Sequence, residues 1–141
     1  MAIATTSARD TNLEAQQRLG ELLTARDIDS LDEIFATDVV DHDPAPGQPD
    51  GVAGIKEFWT TFLSAFPDAT MTPQVVSADD EHVTVVLDVE GTHTGEFQGI
   101  APSGKRIKVR GIQVGRFADG KLVERWGATD EAGILTQIGA A

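Results

Sequence analysis

The chain has 141 residues, of which 40% are hydrophobic and 24% charged, a balance typical of a globular protein with one substantial core. The formal net charge of −12 and the 11 scattered Lys and Arg residues exclude an extended basic surface. We therefore expect no nucleic-acid partner and no anionic membrane surface as partner. The absence of cysteine removes disulfides, thiolate metal sites and cysteine nucleophiles. No apolar run approaches the ~20 residues of a membrane helix, and no secretory signal pattern is present, so a cytoplasmic protein is expected.

The first half of the chain shows helical periodicity. Residues 1–11 are expected to form a flexible N-terminus, and residues 12–141 a single domain. Thr11 or Asn12 can cap a first helix that runs to about Arg26.

Two further helices are predicted before any strand. Ser30 and Glu33 fit the capping-box pattern of a short helix over residues 31–35. An extended segment near residues 39–43 and a proline-rich loop follow it. The third helix covers residues 51–66, where large apolar side chains recur at i, i+3 and i+4.

From residue 71 onward the apolar period changes to two, which predicts strands. Asp119-Gly120 separates the last two strands and is a typical two-residue hairpin turn. Helices followed by a meander of strands indicate an α+β fold with the helices packed on one face of the sheet. The four predicted strands span residues 71–78, 82–93, 105–117 and 121–130.

Alternation along the third predicted strand separates its two faces. Gln113 shares one side with Gly111 and Gly115, which leave room above the sheet. Ile112 and Val114 lie on the other, otherwise basic side. A second covering element could bury that outer face, but a subunit interface is the simplest explanation.

Six short motifs occur in an order that resembles one family over residues 12–139. The family is the SnoaL-like polyketide cyclases, of the nuclear-transport-factor-2-like superfamily. The motifs are His42-Asp-Pro, Gly51-x-x-Gly54, Phe66-Pro-Asp68, Gly91-Thr-His-Thr-Gly95, Pro102-x-Gly104 and Trp126-x-x-x-Asp130-x-x-Gly-Ile-Leu-x-Gln-x-Gly.

The resemblance implies a cone in which three N-terminal helices pack on a strongly curved mixed or antiparallel sheet. Such a cone encloses one deep, mostly apolar pocket, and the protein is often a homodimer. It also implies intramolecular aldol ring closure without metal or cofactor. The family's general acid/base is an aspartate near the end of the last strand, and Asp130 looks like its match.

Asp130 has three interpretations. Two of them, helix cap and proton-transfer group, are compatible with each other, and the third, full solvation, is the least favoured. Asp130 can cap the short helix indicated by residues 131–135. It can also transfer protons, since burial beside Trp126 would make the carboxyl a better acid/base group. The resemblance favours the catalytic interpretation.

Other polar candidates would surround the substrate. Gln113 is expected in the pocket, where its amide can reach a ligand oxygen, although a buried amide satisfied by the protein is the alternative. His42 and His93 are more often structural when no partner is visible. The resemblance favours a functional role for both histidines, because it implies that these positions line the cavity. His42 is then expected as a second catalytic residue and His93 as a substrate-binding residue.

Two tryptophans are candidates for the pocket wall, because large flat rings suit an aromatic or polycyclic ligand. They are Trp59, on the third predicted helix, and Trp126. No metal site is expected. Adjacent residues of the extended Asp41-His42-Asp43 segment point to opposite faces, so at most two of the three converge. No Ser or Cys nucleophile motif is present.

We therefore expect a cofactor-independent acid/base enzyme, of lyase or isomerase type, that cyclises a hydrophobic polyketide-like carbonyl compound by aldol chemistry. Three alternatives remain: an epoxide hydrolase, an isomerase on the same fold, or a non-catalytic small-ligand-binding protein. Epoxide hydrolases of this superfamily usually use an Asp-Arg-Asp relay. Arg110 and Arg125 are available for it, but Arg110 lies on the opposite side of its strand from Gln113, which counts against it. The resemblance implies that isomerases and dehydratases of this superfamily usually use tyrosine hydroxyls as oxyanion donors, so the absence of tyrosine counts against these two activities. A homodimer or higher homo-oligomer through the outer sheet face is expected.

Overall fold

The computed structural model describes residues 7–140. In this part of the chain, helices precede and follow a single sheet of five strands. No described helix has the length and hydrophobicity to cross a membrane. The elements are α1 (Ala8–Thr24), a 3-10 helix (Asp29–Glu33), β1 (Phe35–Asp41), α2 (Gly51–Ala65), β2 (Thr70–Ala78), β3 (His82–Thr92), β4 (Arg106–Ala118), β5 (Lys121–Thr129) and α3 (Glu131–Gln137).

The sheet is mixed, with the strand order β1-β5-β4-β3-β2. β1 pairs with β5 in parallel, and the other ladders are antiparallel. The α+β class and the four predicted strands are confirmed. The segment predicted only as extended is a full edge strand, β1, which carries Asp41 into the sheet.

Three helical segments precede β2, but only two of them are α-helices. α1 and α2 precede most of the sheet, but the third α-helix, α3, follows β5. The short helix expected at residues 31–35 is a 3-10 turn, because the chain enters β1 at Phe35. Its capping box does not form, since the Ser30 hydroxyl donates to Asp27 Oδ2 at 2.7 Å.

The first helix begins earlier than predicted. Ser7 is its N-cap, and Ser7 Oγ accepts a hydrogen bond from the Asp10 N–H at 3.1 Å. Asn12 is instead buried and donates to the Asp80 carbonyl at 3.1 Å. Of the N-terminus expected to be flexible, residues 1–6 lie outside the described residues, and residues 8–11 are helical.

The buried side chains form two clusters on the inner face of the sheet, which is the face that the helices cover. One cluster joins α1, the 3-10 helix and the starts of α2 and β3. The other joins the end of α2, α3 and the ends of β3 and β4 that lie nearest to α3. Trp59, Met71 and Leu87 are only partly buried and pack against both clusters. These three residues connect the two clusters.

A β-bulge in β5 decides which of its residues face the helices. The predicted turn is present, with φ of 51° at Asp119 and 77° at Gly120. Beyond it, Leu122 pairs with Phe117 but Glu124 pairs with Arg116, so one residue of β5 has no partner. A one-residue shift of register exchanges the two faces of a strand.

Candidate functional site

Four polar side chains meet on the inner face. Arg125 lies at the centre, and its Nη1 donates to Asp41 Oδ1 at 2.7 Å. Its Nε donates to Gln113 Oε1 at 3.2 Å, and its Nη2 donates to the same oxygen. Gln48 closes the far side by donating from Nε2 to Asp41 Oδ2 at 3.0 Å.

The sheet register brings these residues together. Gln113 pairs with Gly127 across β4 and β5, and Asp41 pairs with Arg125 across β1 and β5. Residues paired in this way share a face of the sheet. A side chain at residue 127 would overlap Arg125 Nη2 and Gln113 Oε1, so both side chains would have to shift to admit it.

The ion pair in this cluster is shielded from solvent. The side chains of Arg125 and Asp41 are 21% and 9% exposed, respectively. Gln48 comes from the loop before α2, where a cleft of about 520 Å³ opens between that loop and the free edge of β1. Asp41 lines this cleft and also accepts from Arg125, so it links the edge of the sheet to the inner face.

Trp59 lies where the prediction expects it, on α2 with its ring toward the inner side. It meets Phe58 and Phe62 edge-on, with ring centroids 5.2 and 6.0 Å away. It is one of the partly buried residues that contact both clusters. Trp59 therefore lies on the same side of the sheet as Gln113.

The structure places Trp126 and His42 on the outer face of the sheet. Trp126 pairs with Val114, whose side chain points away from the helices. The His42 ring stacks on Trp126, and its Nε2 lies 2.8 Å from Glu124 Oε2. Hydrogen bonds from His42 and Arg116 lower the pKa of Glu124. Neither predicted residue shares a face with Gln113.

His93 is fully buried but distant from Gln113. Its backbone N–H bonds to the carbonyl of Lys105, eight residues along the chain from Gln113, so about 25 Å of strand separates them. Its Nδ1 accepts from the Ser103 backbone N–H at 3.1 Å and lies 2.9 Å from Ser103 Oγ. Nε2 has no hydrogen-bond partner among the described residues. The ring packs on Phe66 at the α3 end of the core.

Asp130 is the N-cap of α3. Its Oδ1 accepts from the Gly133 N–H at 2.8 Å, and the residue is exposed. It lies three residues beyond Gly127, which is about 10 Å of strand from the pairing position of Gln113. The helix-cap interpretation of Asp130 is confirmed, and the catalytic one stays a prediction. The expected burial of Asp130 beside Trp126 is wrong, because Asp130 is exposed and Trp126 lies on the outer face.

Of the six predicted site residues, the structure thus places Gln113 and Trp59 on the inner side of the sheet. Sequence reasoning missed Asp41, Arg125 and Gln48. In a hairpin without a bulge, Gln113 would pair with Trp126, and Trp126 would lie on the inner face. Because of the bulge, Gln113 pairs with Gly127 instead, and Arg125 and Gly127 lie on the inner face in place of Trp126. Among residues 7–140, no three His, Asp or Glu side chains form a group that could hold a metal ion.

Comparison with known families identifies the class of protein. The model of the SnoaL-like polyketide cyclase family matches residues 13–138. The chain belongs to this family. No curated protein matches the chain.

Solved structures agree with this assignment. IdmH from Streptomyces antibioticus, which has been proposed to be a polyketide cyclase, is 29% identical over 91% of this chain and 98% of its own, with a TM-score of 0.80. A protein from Acidithiobacillus ferrooxidans, described in the same terms, is 29% identical over 100% of both chains, with a TM-score of 0.78. A third, from Jannaschia sp. CCS1, shares the fold at 21% identity and a TM-score of 0.85, with 99% of each chain covered.

Proposed function

We propose that the protein is a cofactor-independent acid/base enzyme that binds a hydrophobic carbonyl compound between α2 and the inner face of the sheet. The reaction we propose is intramolecular aldol ring closure of a polyketide-type ester. In this proposal, the sheet and helices form a cone whose single pocket lies between the two buried clusters.

The position of Gln113 is the observation that carries the proposal. Its side chain lies on the inner face beside the buried Val85, its partner across the β3–β4 ladder, and its oxygen is occupied by Arg125. Ligand pockets are typically apolar, with a few fixed polar groups that set orientation. An amide N–H in such a wall is suited to hold a carbonyl oxygen of the substrate.

Asp130 remains the candidate general acid/base in this proposal. As an exposed carboxylate at the start of α3 it is free to exchange protons with solvent, and it retains a second oxygen beyond the capping bond to Gly133. His42 has less support, because it contacts Glu124 and Trp126 on the outer face.

Turnover of an anthraquinone-type methyl ester precursor tests the proposal. We expect the wild-type protein to close the ring, and the Gln113→Leu variant to lose about 10- to 100-fold in kcat/KM, as expected for one transition-state hydrogen bond. Lys56→Gln is a control, because Lys56 pairs with Asp32 far from the inner face. Absence of turnover on every aromatic ester tested, with normal folding, would contradict the enzymatic proposal.

One observation favours a second candidate, a protein that binds a small ligand without turnover. Asp41 is the only acid in the inner-face cluster described above. Its Oδ1 accepts a hydrogen bond from Arg125, and its Oδ2 accepts one from Gln48. Asp130 already serves as a helix cap. Binding of aromatic polyketides without conversion would favour this candidate. An Asp-Arg-Asp relay is not formed, since Arg125 bridges one carboxylate and one amide.

We also propose that the outer sheet face pairs with a second copy of the chain. Ile112 is 41% exposed there, beside a groove of about 310 Å³ that is lined by Trp126 and Val114. On the same face, Lys108 pairs with Glu90 across the β3–β4 ladder. A two-fold axis can place such mixed charges opposite one another, which suits a homodimer.

A further inference from the structure

Arg125 fixes the direction of the Gln113 amide. A guanidinium group has only N–H donors, so the oxygen of the amide must face it. Two Arg125 nitrogens donate to that oxygen. The NH2 group of Gln113 therefore points away from Arg125, and in residues 7–140 neither of its N–H groups donates to a protein acceptor. A free glutamine could turn either end toward a ligand, but this one presents donors.

Asp41 in turn fixes Arg125. The carboxylate accepts from Arg125 Nη1 at 2.7 Å and is held from the other side by Gln48 at 3.0 Å. Arg125 uses three of its five N–H groups in this network, so one on each Nη remains free. The donor set therefore consists of the Gln113 amide with two further N–H groups beside it.

The charge of the cluster indicates the kind of ligand it suits. The positive charge of Arg125 is cancelled by Asp41, so the site has no net charge for a ground-state anion. Fixed N–H donors in a partly dry setting stabilise negative charge that develops on an oxygen during reaction. Such a cluster favours a neutral carbonyl compound over a carboxylate or phosphate.

We propose that Arg125, held by Asp41, is a positioning residue that makes Gln113 a hydrogen-bond donor to the carbonyl oxygen of the substrate as that oxygen becomes an enolate. This inference rests on the proposed function. When a carboxylate base removes the proton α to the carbonyl, the C–H electron pair forms the C=C bond. The carbonyl π pair moves to oxygen, where the donor set stabilises it. The C=C pair of the enolate then forms the bond to the second carbonyl carbon while the first C=O re-forms. The π pair of the second carbonyl moves to its oxygen, which takes back the proton from the carboxylic acid.

Naphthols of graded acidity test the donor set without turnover. A 6-substituted 2-naphthol presents one oxygen that is neutral or anionic, and naphthalene presents the same ring without it. We expect wild-type affinity to rise as the hydroxyl becomes more acidic, with the absorbance of bound naphtholate. Arg125→Met and the charge-retaining Arg125→Lys should each weaken the most acidic naphthol about tenfold, and leave naphthalene within about twofold. Arg116→Lys on the outer face is the matched control.

The outcomes separate the inference from the proposed function. Equal affinity for all naphthols in the wild type, with naphthalene bound, would overturn the inference and leave the apolar site standing. Equal weakening of naphthols and naphthalene by both Arg125 variants would show a structural role only and would also overturn it. If neither naphthalene nor any naphthol binds the wild type, the proposed function fails and the inference fails with it.

Discussion

The imidazole of His42 lies parallel to the indole of Trp126, with ring centroids 4.8 Å apart and planes 9° apart. The stack covers the outer face of the sheet, whereas Gln113 and Arg125 occupy the inner face. The C-terminal hairpin therefore carries an aromatic outer surface and a polar inner cluster on alternate residues of β5.

An acidic side chain on the outer face should separate the proposed dimer. Ile112→Asp would bury a charge in the interface, which we expect to raise the dimer dissociation constant about 100-fold. Size-exclusion chromatography with light scattering measures the mass at several concentrations. Thr60→Asp, on the exposed side of α2, is the control. A wild-type chain that is monomeric at all concentrations would refute the dimer.

Two substitutions of Asp130 separate its capping role from proton transfer. Asn caps a helix about as well as Asp, so Asp130→Asn should leave the free energy of unfolding nearly unchanged, whereas Asp130→Ala should lower it by about 1 kcal/mol. If Asp130 is the general acid/base, both variants lose ring-closing activity. Denaturant unfolding and turnover of the same samples give the comparison. Full activity in Asp130→Asn would remove this carboxylate from the mechanism.

Two helix glycines should respond to alanine in opposite directions. A Cβ at Gly54 would overlap the Pro49 carbonyl oxygen, where the loop before α2 crosses its first turn. We expect Gly54→Ala to destabilise the protein by about 2 kcal/mol through this overlap. Gly20 in α1 has no atom within 4 Å of its Cβ position, so Gly20→Ala should stabilise by up to about 1 kcal/mol. The urea concentration at the midpoint of unfolding measures both changes in stability. A midpoint that rises in Gly54→Ala, as it should in Gly20→Ala, would contradict the close contact at Gly54.

Asp68 should contribute stability that disappears in acid. Its carboxylate accepts from the Thr92 backbone N–H and hydroxyl, both at 2.7 Å, and these bonds lower the pKa of Asp68 below its ordinary 3.8. A carboxyl whose pKa is lower in the folded state stabilises the protein above its unfolded pKa. That contribution is lost as the pH falls through the folded value.

The Asp68→Asn variant isolates this term. At pH 7 we expect it to be less stable by about 1 kcal/mol, a modest value because the carboxylate is half exposed. The difference from wild type should shrink below pH 4, as measured by denaturant unfolding across pH. Glu57→Gln, on the exposed side of α2, controls for the loss of one negative charge. A difference that stays constant down to pH 2 would show that ionisation of Asp68 is not involved.

Much of the fold could be predicted because the apolar periods of the chain are strong. The change from period 3.6 to period 2 at residue 71 located the strands to within a residue or two. The Asp119-Gly120 turn was predicted from its residue types alone. The parallel pairing of β1 was not, because a short extended segment near residues 39–43 shows no sign of which strand it will join.

The site was harder to predict, because it depends on a single extra residue. The alternation of apolar residues does not reveal the bulge at Val123. The bulge nevertheless turns Arg125 and Gly127 toward the inner face and Trp126 toward the outer face. Gln113 could be identified from its own strand, since β4 keeps its alternation. The partners of Gln113 could not, because they come from the far side of the bulge and from β1.

The Asp41–Arg125 contact joins residues 84 positions apart in the chain. β1 joins the sheet only through β5, so the first strand has no place to dock until the C-terminal hairpin has formed. Closing so long a loop is a late and slow event in folding. The polar cluster is therefore completed only when the whole chain is native. A ligand bound there should select the fully folded population and raise its melting temperature by mass action.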